Sequence, residues 1–333
     1  MSRPALAPLA ALYGGAVAAK SFAYEHRWLA SKRLRLPVVS IGNLSVGGSG
    51  KTPLTIRLAE LLSAQGMAVD VLSRGYGRTS RAIERVDPSG DAERFGDEPL
   101  LIARRTGAPV FVGASRYEAG LLAEAEPAAQ QGDPVARIHL LDDGFQHRQL
   151  ARDVEIVVLH RTDFSERLLP AGRLREPLWA LKRADFLAVR EEDAEFESRL
   201  RGNGITAPIW WMRRTLNQPR DLTETFERAV AFCGIARPDE FFSALETDVN
   251  VEFTVAFRDH HRYSHGDVDE LVKAAKEVEA DAFVTTEKDG VRLDAPLLKK
   301  LEAAAPVRIA KLEVSLRDEA SVIQQLLGKL PGK

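Results

Sequence analysis

A chain of 333 residues is longer than one ordinary domain, so two globular units meeting at a cleft are expected. Hydrophobic residues at 45% and charged residues at 28% exclude a disordered or fibrous chain, and a formal net charge of -2 argues for no particular class of partner. The single cysteine, Cys233, excludes an internal disulfide and a thiolate zinc cluster, which suits a reducing compartment and a small buried strand residue.

Residues 1–36 stand apart from the rest. The run from Pro4 to Ala19 carries no charge, but Pro4, Pro8, Gly14 and Gly15 interrupt it and Lys20 ends it. It is short of the roughly 20 apolar residues that a spanning helix needs, so no transmembrane helix is expected. No small-residue cleavage site follows a basic start, so no export signal is expected either. Leu6, Leu9, Tyr13, Val17, Tyr24 and Trp28 recur near the helical period, and Arg3, Lys20, Arg27, Lys32, Arg33 and Arg35 face only Glu25. This predicts an N-terminal amphipathic helix. It lies either on an anionic lipid surface or against the protein's own core, because amphipathicity does not separate the two.

From residue 37 onward β-branched runs alternate with helical patterns, the signature of a parallel sheet covered by helices. The strands are predicted at Val38–Ile41, Val69–Leu72, Val110–Val112, Ile138–Leu141, Ile156–Leu159 and Phe186–Val189, with helices at Thr52–Gln65, Pro99–Arg105 and Arg116–Glu124. The alternation pauses at a polar stretch, 217–228, around Pro219. A second series follows, with strands at Val230–Phe232, Val251–Ala256, Phe283–Thr285 and Val307–Leu312 and a helix at Val268–Val278. The expected organisation is therefore α/β: a doubly wound sheet over 37–216, a linker at 217–228 and a second, smaller α/β domain over 229–333.

Val38 to Thr52 reads VVSIGNLSVGGSGKT, an apolar strand running into a glycine-rich turn and then a helix start. Gly47, Gly48 and Gly50 permit the positive φ and close backbone approach that aim successive N–H groups at phosphate oxygens, and the helix dipole adds to the pull. With Ser45, Val46 and Ser49 they form the cradle of a P-loop. Lys51 is placed to reach the β- and γ-phosphates of ATP, and Thr52 to offer its hydroxyl to Mg2+. One position departs from the usual pattern: Ser45 stands where a glycine is expected. Downstream, IHLLDDGFQH ends an apolar strand in Asp142 and Asp143, where P-loop enzymes hold the Mg2+ shell; Asp-Asp-Gly is also ordinary turn chemistry. The fold expected for the first unit is accordingly P-loop NTPase-like.

With these residues in view the chain resembles one family over nearly its whole length. SVGGSGKTP, SRGYGR (Ser73–Arg78), GDEP (Gly96–Pro99), LDDGFQH, PAGRLREP (Pro170–Pro177), DHHRY (Asp259–Tyr263) and TTEKD (Thr285–Asp289) stand in the order found in the tetraacyldisaccharide 4'-kinases. The resemblance implies ATP-dependent phosphorylation of the 4'-hydroxyl of a tetraacylated glucosamine disaccharide 1-phosphate in lipid A biosynthesis. It also implies a peripheral, monotopic enzyme at the cytoplasmic face of the inner membrane, touching an anionic lipid surface and an acylated disaccharide lipid, with no protein partner implied. By the same resemblance, Asp97 accepts the sugar proton together with His260, and His147 and Glu176 line the disaccharide site. His261 is the adjacent alternative to His260.

Arg173 and Arg175, in a proline-flanked loop, offer two guanidinium groups to the phosphate already on the substrate. By the same analogy Arg74, Tyr76 and Arg78 lie near the phosphates, although Gly75 and Gly77 equally suggest a mobile turn. Arg116, after a strand, is placed to sense the transferred phosphate but reads more readily as a surface residue, and Thr286, Glu287 and Asp289 read as strand-end caps. Two alternatives compete: a P-loop kinase of a soluble small molecule, which has no use for a basic amphipathic N-terminus, and a nucleotide-dependent switch or metal-delivery ATPase, for which one cysteine is a poor ligand set. No basic stripe interleaved with aromatics points to nucleic acid.

Overall fold

The computed structural model describes residues 4–127, 136–217, 228–245 and 250–331. Among them run the strands β1 (Val38–Asn43), β2 (Ala68–Ser73), β3 (Glu84–Arg85), β4 (Val110–Val112), β5 (Arg137–Asp142), β6 (Val154–Val158), β7 (Phe186–Arg190), β8 (Ile209–Asn217), β9 (Ala229–Cys233), β10 (Val251–Ala256), β11 (Ala282–Thr286) and β12 (Val307–Leu316). The helices are α1 (Ala7–Glu25), α2 (Lys51–Ala64), α3 (Ala92–Phe95), α4 (Asp97–Thr106), α5 (Arg116–Ala125), α6 (Phe196–Gly202), α7 (Pro238–Leu245), α8 (His265–Glu277), α9 (Glu287–Gly290), α10 (Ala295–Glu302) and α11 (Glu319–Lys329).

All strands belong to one sheet of order β10-β9-β11-β12-β8-β7-β6-β1-β5-β2-β4-β3. From β8 to β4 neighbours run parallel, as do those from β10 to β12, and the antiparallel pair β8–β12 joins the two sets. β12 serves both sets. Phe283 to Thr286 of β11 pair with its first residues, Val307 to Ala310, and Met212 to Asn217 of β8 with its last, Lys311 to Leu316. The sequence reading stopped this strand at Leu312 and missed β8, because the segment IWWMRRTLN mixes bulky apolar and charged residues. Its burial alternates, with Trp210 and Met212 buried and Arg213 exposed, as a half-solvated strand requires. Of the expected linker, Asn217 ends β8 and 218–227 lie outside the described residues.

Period-two alternation sorts the strand side chains to two faces. Val39, Ile41, Val69, Val71, Ile138 and Leu140 pack with Leu54, Leu58 and Leu62 of α2, Leu100 and Ile102 of α4, and Ile323 and Leu326 of α11. Val38, Leu72 and Leu141 face the other way, with Ala119 and Ala123 of α5. The smaller set repeats the scheme: Val230, Phe232 and Phe283 pack on α8 and α10, while Ala231, Cys233 and Val284 pack on α7. Asn43, Ser73 and Asp142 stand at the C-terminal ends of β1, β2 and β5, the edge of a parallel sheet where ligands bind.

α1 lies over the loops after β5 and β6. Tyr13 donates its hydroxyl to the Arg175 carbonyl at 2.9 Å, Arg148 reaches Ser21 Oγ at 2.9 Å, and Arg148 stacks over the Tyr24 ring. Ala10 and Ser21 are buried, and Leu6, Tyr13, Val17 and Tyr24 are half-buried with them, so most of the predicted stripe faces the protein. Leu9 and Trp28 of that stripe are instead exposed, with Leu12, Phe22 and Leu29. Among the described residues no helix is long and apolar enough to cross a membrane.

Candidate active site

The phosphate-binding segment is a strand that cannot continue. After Asn43, Ser45 makes an antiparallel bridge with Leu174, and the Val46 N–H bonds the Arg173 carbonyl at 2.8 Å. Paired in this way, Ser45 needs no positive φ, which accounts for a serine where the usual pattern has glycine. Gly47 at φ 102 and Gly50 at φ 98 take the left-handed turns, and Gly50 caps α2. Lys51 and Thr52 open that helix, Thr52 buried and Lys51 Nζ 3.5 Å from Asp143 Oδ1. Arg173 lies on the loop, its Nε donating to the Val46 carbonyl at 3.1 Å.

Asp142 ends β5 and Asp143 follows at φ 50. Thr55 and Ser73 hydroxyls donate to Asp142 at 3.2 and 3.4 Å. Burial, with Glu98 and Asp143 nearby, pushes the Asp142 carboxyl up to about 7. Asp143 differs: burial works against its charge, but Lys51 and Arg175 hold it well below the usual carboxylate range. Arg175 donates to both Asp143 oxygens at 2.8 and 3.0 Å and to Asn43 Oδ1. Two adjacent carboxylates thus have opposite characters. With the Thr52 hydroxyl they form an all-oxygen donor set, and the like charges around Asp142 are what a hard divalent cation would relieve. Among the described residues no group of three or more His, Cys, Asp or Glu is placed to hold a metal ion.

The second cluster crosses the molecule. Gly96 caps α4, so Asp97 and Glu98 stand in its first turn, where the helix dipole favours negative charge. His260, at φ 57 in the turn after β10, brings Nδ1 to 2.9 Å from Asp97 Oδ2. His261 turns away, its Nε2 3.1 Å from Asp267 and its ring stacked on Phe257. Of the two histidines, His260 faces the cleft. Tyr76 lies against it, with ring centroids 5.1 Å apart, and Arg262 bonds the Gly77 carbonyl at 3.1 Å. Burial works against the charge of Asp97, but His260, Arg292 and Lys288 hold its carboxyl well below the usual range. The same hydrogen bond raises the His260 pKa against the effect of burial. Glu98 pairs with Lys288, which, despite burial, Glu98 and Asp97 push up to about 12.

Further charged residues surround this cluster and the phosphate loop. Arg116 is buried, and burial together with Arg74 brings its guanidinium down to about 10, with Asp143 and Asp142 opposing that shift. It is no surface residue. Burial and the cations Arg116, Arg152, Lys20 and Arg74 bring His147 down to about 4, so its ring is neutral. Glu176 is buried between Arg183, at 2.9 and 3.2 Å, and Gln146 Nε2, at 3.2 Å. Arg78 folds back onto the Ala82 carbonyl at 2.7 Å. Lys288 and Arg292 were not singled out at all. Lys288 sits inside TTEKD, but Arg292 lies three residues beyond it, and only its one-turn spacing from Asp289 signals a shared helical face.

A family model described as Tetraacyldisaccharide-1-P 4'-kinase matches residues 2–331. The chain is 43% identical over 329 residues to the tetraacyldisaccharide 4'-kinase of Koribacter versatilis, covering 96% of this chain and 97% of that one. It is 38% identical over 343 residues to the enzyme of the same description from Chromobacterium violaceum, covering 98% and 94%. The crystal structure of LpxK from Aquifex aeolicus in complex with ATP superposes with a TM-score of 0.76 at 30% identity, covering 98% of this chain and 99% of that one.

Proposed function

The chain belongs to the tetraacyldisaccharide-1-P 4'-kinase family and phosphorylates the 4'-position of tetraacyldisaccharide-1-P from ATP in lipid A biosynthesis, and on that premise we propose how its residues divide the work. The N–H groups of 47–50 and Lys51 hold the ATP phosphates, within the loop that Ser45 and Val46 open by pairing with Leu174 and Arg173. Thr52, Asp142 and Asp143 hold Mg2+, which when bound neutralises charge on the β- and γ-phosphates. Asp97 accepts the proton of the sugar hydroxyl, and His260 fixes its orientation. The carrying observation is the 2.9 Å contact from His260 Nδ1 to Asp97 Oδ2, which joins the two strand sets beside Glu98, Lys51 and Asp142. Arg173, seated on the phosphate loop, suits the transferred phosphate better than one at the far end of a disaccharide. Arg175 spends its charge on Asp143, while His147 and Glu176 line the sugar.

Asp97→Asn and His260→Ala test the pair. Each lowers the single-turnover rate by about 10^2- to 10^4-fold, and the double variant costs far less than the product of the two. Multiplicative losses would mean two independent roles.

The exposed Leu9, Leu12, Phe22, Trp28 and Leu29 support a peripheral seat on the anionic cytoplasmic face of the inner membrane. A Leu12→Ser, Trp28→Ser variant should sediment less with anionic vesicles while staying folded, and salt should weaken binding of the parent. Unchanged sedimentation would move the contact to another surface.

A further inference from the structure

The carboxylate of Asp97 is engaged unequally at its two oxygens. Oδ2 receives His260 Nδ1 at 2.9 Å, Arg292 Nε at 2.9 Å and Arg292 Nη2. Among the described residues Oδ1 receives only the backbone N–H of Glu98, at 3.0 Å. A carboxylate oxygen has two lone pairs, so Oδ2 is saturated and Oδ1 is not.

Arg292 is itself held from behind. Its Nη1 donates to the Gly234 carbonyl at 2.7 Å and to Asp289 Oδ1 at 3.1 Å. Asp289 is buried and takes the Gly234 N–H and the Tyr263 hydroxyl, each at 2.8 Å, and the Thr286 hydroxyl at 2.5 Å. The guanidinium and its Asp97 partner are each only 5% exposed, so this is no solvated surface pair whose contribution solvent would cancel. One planar fork is fixed at one edge by the second strand set and grips Asp97 with the other.

We propose that Arg292 is a positioning residue which, by filling Oδ2 together with His260, presents Asp97 Oδ1 as the atom that accepts the proton of the acceptor hydroxyl. This rests on the reading of Asp97 given above. In the step, the hydroxyl oxygen bonds to the γ-phosphorus as its proton passes to Oδ1. The bond from that phosphorus to the bridging oxygen breaks, its electron pair stays on the departing ADP, and Asp97 later returns the proton to solvent.

The charges around Asp97 set the pH behaviour. Glu98 comes from α4, His260 and Asp259 from the turn after β10, Lys288 and Arg292 from the segment after β11, and the Tyr76 phenol lies against His260. Without Arg292, Asp97 keeps the repulsion of Glu98 and loses a buried cation, so it takes up a proton at higher pH. An opposite charge at this range is worth about 1 to 3 pH units.

The test is kcat against pH at saturating Mg-ATP, on the full chain with tetraacyldisaccharide 1-phosphate in mixed micelles, alongside the KM for ATP and thermal unfolding. Arg292→Gln should lower kcat at pH 7 with little change in the KM for ATP, and should move the acid limb up by about 1 to 3 units. Arg292→Lys restores the charge but not the fork, so its limb returns while kcat stays about tenfold low. If Arg292→Gln does not fold, the lysine variant decides alone, and a wild-type kcat there overturns the proposal. An unmoved limb in folded Arg292→Gln also overturns it. Asp97→Asn keeps the two failures apart: an active Asp97→Asn removes the reading of Asp97 itself, whereas an inactive one beside an unmoved Arg292→Gln removes only the role of Arg292.

Discussion

The two ends of the transfer site are built in different ways. The phosphate end is local: the loop and the helix start are residues 45–52, completed by Asp142 and Asp143 on a neighbouring strand. The acceptor end is not. Asp97 and Glu98 take their partners from 163, 190 and 195 residues away, in the other strand set. Backbone N–H groups that cradle a phosphate must be consecutive, so that recognition is written in one stretch of chain. Buried carboxylates, by contrast, are tolerated only with cations opposite them, and α4 alone offers none to Asp97 or Glu98. With the roles proposed above, phosphate binding depends on one strand set, and proton acceptance on how the two sets face each other.

The comparison can be broken at its local end first. Lys51→Ala removes the cation that opens α2 beside the phosphate loop and should cost about 10^3-fold in kcat, on the scale of one lost charge-stabilising donor. The acceptor end should stay intact, with the raised pKa of His260 unchanged in an NMR titration. A fall in that pKa would mean that the two ends are one unit.

A smaller effect separates the paired carboxylates. Asp142 takes up a proton as the pH falls through about 7, and that proton competes with Mg2+. The Mg2+ concentration for half-maximal rate should therefore rise as the pH drops below 7, by about tenfold per unit for one competing proton. In Asp142→Asn that dependence should vanish on a weaker baseline. In Asp143→Asn it should persist but begin at lower pH, because one of the negative charges that raise Asp142 is gone while burial and Glu98 remain. Overlaid curves for all three proteins would make the strand end a structural turn.

The smallest effect tests the junction alone. Arg105 Nη1 donates to both Glu287 oxygens at 2.8 Å, linking the far end of α4 to α9 without touching Asp97. Glu287→Gln should cost about 1 to 3 kcal/mol in stability, because the pair is only 19% and 11% exposed. It should lower kcat only severalfold, with the KM for ATP unchanged. A loss confined to ATP binding would reverse the division between the two ends.

Much of the parallel sheet was legible, because buried strands read as β-branched runs and their order follows from alternation with helices. β8 escaped because a strand with one wet face mixes Trp210 and Met212 with Arg213, and no turn signal marks its start. α1 was legible as a helix, but not which of its apolar residues would meet the protein, since the period of Leu6, Leu9, Tyr13 and Trp28 is the same whatever covers them.

The site divides along the same line. The turn at Gly47 and Gly50 and the helix start at Lys51 and Thr52 were legible in the sequence because they are features of local backbone geometry. His260 could not be told from His261, because the positive φ that turns one ring toward Asp97 and the other toward Asp267 is imposed by packing after β10. Arg292 carried no usable signal, since an arginine three residues past an aspartate is common on any helix surface. Its grip on Asp97 exists only because β12 belongs to both strand sets and holds α9 against α4. Sequence alone determined the glycine turn and helix start of 47–52, a property of consecutive residues. Tertiary structure decided the proton-accepting end, because the ion pairs that keep Asp97 charged in a buried place form only after strands far apart in the chain have closed into one sheet.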